Sequence, residues 1–95
     1  MNPAVPEASL TALIHLLAEQ ALMAMGVPHP MMKDVPPANP AAARFYVDLL
    51  TVLKEKTEGA RLEAETRALD DILYELRMRV MNLSKAADVP AVTKP

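Results

Sequence analysis

Seven positions in the C-terminal half, Leu62, Thr66, Leu69, Leu73, Leu76, Val80 and Leu83, follow one another at alternating steps of four and three. That alternation keeps one stripe of an α-helix turned toward one neighbour, the pattern of coiled-coil-like packing. A strand would need a period of two, and runs of alternating Val, Ile and Thr are absent. The spacing therefore predicts a helix over 62–84 and demands a helical partner. Glu63/Arg67, Arg67/Asp71 and Glu75/Arg79 add opposite charges four residues apart, each pair stabilising a helix by about 0.2–0.5 kcal/mol.

The partner precedes it. Asn39-Pro40 is a helix start: an Asn side chain accepts from an orphan N–H of the first turn, and Pro at the first helical position loses no hydrogen bond. No Gly or Pro interrupts the next eighteen residues, and Gly59 then offers the left-handed conformation that ends helices. A helix over 40–58 follows, joined to the third by a turn short enough to make the two an antiparallel hairpin. Phe45, Leu49 and Val52 share one stripe of it, and Tyr46, Leu50 and Leu53 an adjacent one. Arg44, Asp48, Thr51 and Glu55 fall on the other side, read as facing water. The expected core or oligomer seam is thus Phe45, Leu49 and Val52 with Leu69, Leu73, Leu76 and Val80. No Ser, Thr, Asp or Asn stands at the start of the third helix to cap it.

Upstream, Leu10, Leu13, Ile14, Leu17, Ala21 and Met25 make the main stripe of a first helix over 9–25, with Leu16 and Met23 elsewhere on its circumference. Pro28, Pro30, Pro36 and Pro37 mark 26–38 as a linker of extended chain. The expected plan is a single all-α domain of three helices over 9–84, between a mobile tail at 1–8 and another at 85–95. In 95 residues with 52% hydrophobic content but one Phe, two Tyr and no Trp, such helices make a flat layer more readily than a thick core. Small domains bury a low fraction of their surface, so a homo-oligomer, dimer or larger, is the expected form.

Composition narrows the chemistry. A net charge of −2 with signs interspersed argues against nucleic acid as a direct ligand, which calls for a basic stripe. Without Cys there is no disulfide framework and no thiolate nucleophile. The apolar tract from Leu10 to Met25 is broken by His15, Glu19 and Gln20, too interrupted for a transmembrane span. Met1 to Glu7 lacks the Lys or Arg of a secretory leader, which makes the cytoplasm the expected location. No hydrolase elbow, phosphate-cradling Gly loop or His-Glu-x-x-His pair is present. Adjacent Asp70 and Asp71 diverge around their helix and read as surface groups. His15, His29, Met31 and Met32 lack a regular ligand spacing. The chain reads as a non-enzyme without metal or cofactor.

Gln20-Ala21-Leu22-Met23-Ala24-Met25-Gly26, Lys54-Glu55-Lys56-Thr57-Glu58-Gly59 and Leu73-Tyr74-Glu75-Leu76-Arg77-Met78 together resemble the signatures of a small bacterial all-helical family of unknown function. The order of helix, Pro-rich linker and helical hairpin is similar as well. The family's Lys-Thr-x-Gly turn is usually continued by Asn-Leu-Thr, where this chain has Ala60-Arg61-Leu62. Relatives encoded near translation genes imply a second role beside a self-associating interaction or scaffold module with an unidentified protein partner: an accessory factor of translation or RNA machinery. The resemblance and expected exposure single out Lys54, Lys56, Thr57, Arg77 and Arg79 as candidate partner-binding residues, Arg77 and Arg79 as part of one basic edge.

Overall fold

The computed structural model describes residues 5–27 and 37–93, with side chains as far as residue 83. Most of the expected extended linker, residues 28–36, lies outside the described residues, as do His29, Met31 and Met32. Three helices form: α1 (Leu10–Ala24), α2 (Pro40–Lys56) and α3 (Glu63–Thr93). Among the described residues there is no strand.

The helix ends follow from local chemistry. Ser9 Oγ accepts from the Ala12 N–H at 3.0 Å, and Asn39 Oδ1 from the Ala42 N–H at 3.1 Å. Each satisfies one donor that a first turn leaves unpaired. Gly26 and Gly59 take φ of +85° and +82°, a region costly for any residue with a Cβ. α3 continues where the sequence reading stopped it: its backbone is helical through Thr93 instead of ending at Ser84. Ala86-Ala87-Asp88-Val89 contains no Gly to end a helix, and Pro90 removes one hydrogen bond without ending it.

The chain runs up, down and up. The Asn39 N–H donates to the Ala24 carbonyl at 2.6 Å, which sets the start of α2 beside the end of α1. Lys54 meets Asp70 and Thr51 meets Arg77, so α2 and α3 are antiparallel, as expected. α1 and α2 share the most extensive contact. The chain measures 54 × 33 × 16 Å between Cα extremes, a slab and not a ball.

The core is built from three stripes, each stepping by four and three: Ile14, Ala18, Ala21 and Met25 on α1; Ala43, Val47 and Leu50 on α2; Leu69, Leu73 and Leu76 on α3. Ile14, Leu50 and Leu69 are wholly buried, each burial contributing about 1.5–3 kcal/mol. Small side chains on α1 and α2 let those two helices approach closely. Of the expected seam, Leu69, Leu73 and Leu76 are in the core, and Val80 packs half-buried against it. On α2 the seam is rotated: Phe45 stays 57% exposed, Val52 46% exposed and Leu49 half-buried. Within one chain this stripe is not core. Ala43 and Val47, which the sequence reading passed over, take its place because α1 and α3 approach α2 from their side.

Candidate interaction site

Two surfaces hold the residues singled out in the sequence. The first is the turn between α2 and α3. Thr57 ends α2 with its hydroxyl donating to the Leu53 carbonyl at 2.8 Å. Arg61 folds back over this end with its side chain only 5% exposed. Its Nη1 donates to the Lys54 carbonyl at 2.6 Å and to Thr57 Oγ1 at 3.0 Å, and its Nε donates to Thr66 Oγ1 at 3.0 Å. Nη2 reaches Glu58 Oε1 at 3.4 Å. A guanidinium at a helix C-terminus answers both the unpaired carbonyls and the negative end of the dipole. Glu65 Oε1 accepts from the Leu62 N–H at 2.7 Å, the reciprocal half of a capping box. α3 is therefore capped by its own third residue, although no Ser, Thr, Asp or Asn precedes it. Leu62, the first member of the expected heptad, is the cap position and lies 69% exposed. The seam begins in effect at Thr66.

The second surface is the outer side of the hairpin. Lys54 Nζ pairs with Asp70 Oδ1 at 2.9 Å, both side chains being well exposed. Arg77 Nη2 donates to Thr51 Oγ1 at 2.9 Å, and Thr51 in turn donates to the Val47 carbonyl at 3.1 Å. Between these contacts lies a shallow groove of about 270 Å³ lined by Lys54, Asp70, Leu73, Tyr74, Arg77, Met78 and Met81. Tyr74, Met78 and Met81 are 70%, 44% and 52% exposed. Arg79 pairs with Glu75 at 3.0 Å, as the sequence suggests, and lines a different groove with Met25, Val27, Asn82 and Leu83.

The five candidate residues are thus not one site. Lys54 and Arg77 come together on the α2–α3 groove. Thr57 belongs to the cap under Arg61, and Lys56 is exposed at the end of α2. Arg79 sits roughly 160° around α3 from Arg77 and faces the end of α1. Of the basic edge expected from Arg77 and Arg79 with Arg61, Arg67 and Lys85, Arg61 is tucked into the turn, Arg77 and Arg79 diverge around α3, and the Lys85 side chain lies outside the described residues. The sequence does not single out Arg61 as a structural residue, because an Arg in a short turn reads as one more surface charge. Its spacing of four from Thr57 and five from Thr66 was the available signal. Asp70 and Asp71 are exposed, as expected for surface groups. Among the described residues no three His, Asp or Glu side chains converge to hold a metal ion, and no helix is long and apolar enough to cross a membrane.

A third surface is mainly apolar and carries one residue of the sequence shortlist, Lys56, at its end. Leu13 and Leu16 of α1 are 41% and 53% exposed, and Phe45 and Val52 of α2 match them. On α1 the surface turns from buried Ile14 and Ala21 through half-buried Leu17 to Leu13 and Leu16. On α2 it turns from buried Leu50 through half-buried Leu53 to Leu49, Phe45 and Val52. Leu17 and Leu53, the half-buried residues on the way, both pack against the core. The Phe45 ring meets Tyr46 edge-on, with centroids 5.5 Å apart.

The model of a family described as Domain of unknown function (DUF1844) matches residues 7–82, a span that includes α1, the turn and all three surfaces. No curated protein and no solved structure matches the chain.

Proposed function

The chain belongs to the DUF1844 family, whose function is unknown, and from that premise we propose that it is a non-enzymatic helical interaction module that self-associates, as a dimer or larger, in the cytoplasm. The observation that carries the reading is the outer stripe of α2. Phe45 is the only phenylalanine in the chain, and the fold leaves it 57% exposed while alanines fill the core beside it. Scattered exposed apolar residues are ordinary, but a stripe of them marks a contact. A slab of three helices buries one side of each helix and gains most from a neighbour on the other. The test is sedimentation equilibrium of the full chain at micromolar concentration. A dimer or larger mass is expected; a cooperatively folded strict monomer would remove the reading.

A second reading, an accessory factor of translation or RNA machinery, is favoured by the α2–α3 groove, which sets Lys54 and Arg77 around exposed Tyr74. Stacking and cationic contacts of this kind suit RNA or an RNA-bound protein. Against it, both cations already have partners within the chain. It predicts salt-sensitive co-purification with ribosomes or RNA, lost on reversing Lys54 and Arg77 to Glu. Retention by the doubly reversed variant would dismiss the groove as the contact.

A further inference from the structure

Resting on the self-association proposed above, we infer that the second copy docks on the outer face of α1 and α2, with Leu13, Leu16, Phe45, Leu49 and Val52 forming the dry centre of a two-fold stack of four helices. The size of the face supports this occupant. At about 1.5 Å per residue the 15 residues of α1 and 17 of α2 span roughly 22 and 25 Å, and two adjacent helices are about 20 Å wide. Two such faces stacked bury on the order of 900 Å² in flat projection. Side-chain relief raises this toward the roughly 1,200 Å² at which specific interfaces begin, and above the scale of chance contacts.

The chemistry of the face points the same way. A symmetric contact sets a patch against its own copy, so any charge at its centre meets a like charge. The centre of this face, between Leu13, Leu16, Phe45 and Leu49, is free of charge, and its edges carry Asp48, Glu19 and, at the end of α2, Lys56. The other exposed apolar stripe, Tyr74, Met78 and Met81, lies on α3 alone and is edged by Asp70, Asp71, Glu75 and Arg77. A membrane surface is the poorer occupant: α1 contains neither Lys nor Arg, and on α2 only Lys56 lies in line with the apolar stripe, a sparse match to anionic headgroups.

The test compares the full chain with Phe45→Glu, Leu16→Glu and Met78→Glu by sedimentation equilibrium, with helical content checked by circular dichroism. Phe45→Glu and Leu16→Glu are expected to weaken the dimer by at least about 30-fold, the scale of a central interface residue, and Met78→Glu by less than about threefold. The two face variants lie on different helices, so loss of fold in one leaves the other to report. Wild-type mass retained by both face variants, with dissociation in Met78→Glu, would overturn the face and leave self-association standing. A monomeric wild type would remove self-association itself. A monomer that binds vesicles of mixed zwitterionic and anionic phospholipid through Phe45 would assign the face to lipid and overturn the inference.

Discussion

The inner and outer stripes of α2 are made of opposite materials. Inside stand Ala43, Val47 and Leu50, continued toward the turn by Lys54 and Thr57; outside stand Phe45, Leu49 and Val52. The larger apolar side chain faces out and the smallest faces in. A helix that had only to fold against its two neighbours would gain by the reverse arrangement, since burial scales with apolar area. Small inner residues bring α1 and α2 close, and on the self-association proposed above the bulky outer residues are left for a contact made after folding.

The comparison breaks most forcefully at Leu50, which is wholly buried. Leu50→Ala is expected to cost about 2–5 kcal/mol in urea denaturation. Phe45→Ala, measured in protein dilute enough to be monomeric, should lie within about 0.5 kcal/mol of wild type. Equal costs at both positions would mean that α2 has no inner and outer side. The polar end of the inner stripe comes next. Arg61→Ala removes the donor shared by the Lys54 carbonyl, Thr57 and Thr66; a loss of about 1.5–3 kcal/mol is expected, and Arg61→Lys, a point charge without the planar fork, should recover only part of it.

Gly59→Ala should cost roughly 1–2 kcal/mol, the expense of a Cβ in the left-handed region. A Cβ there meets nothing within 4 Å, so a much larger loss in thermal denaturation would point to a contact absent from this fold. The smallest effect belongs to Lys54 and Asp70. A double-mutant cycle to Ala should give about 0.2–1 kcal/mol of coupling, falling as salt is raised. Coupling that ignores salt would contradict the exposure of the pair.

Much of the architecture is legible in the residues. Asn39, Pro40, Gly59 and the α3 heptad each carry their own local chemistry, and the all-α hairpin follows from them. The inner stripe of α2 was legible too, since Ala43, Val47 and Leu50 step by the same four and three as α3. It was outweighed because Phe45, Leu49 and Val52 are more hydrophobic, and hydrophobicity along one helix does not say from which side the neighbours arrive. Among the candidate site residues, Lys54 and Arg77 belong together across the hairpin, whereas Arg79 lies close to Arg77 in sequence and far around the helix. The cap at the turn was hidden for another reason. Arg61 and Glu65 act through long side chains that reach back over the backbone, and short-range cap residues are what a sequence displays.

The central claim, that the outer stripe of α2 is reserved for a contact between molecules, is tested most directly by the melting temperature of the full chain across a hundredfold range of protein concentration. Self-association through that stripe couples folding to assembly, so Tm should rise with concentration, and Phe45→Glu should flatten the dependence. A wild-type Tm that does not move over this range, in a protein of monomeric mass, would contradict the account.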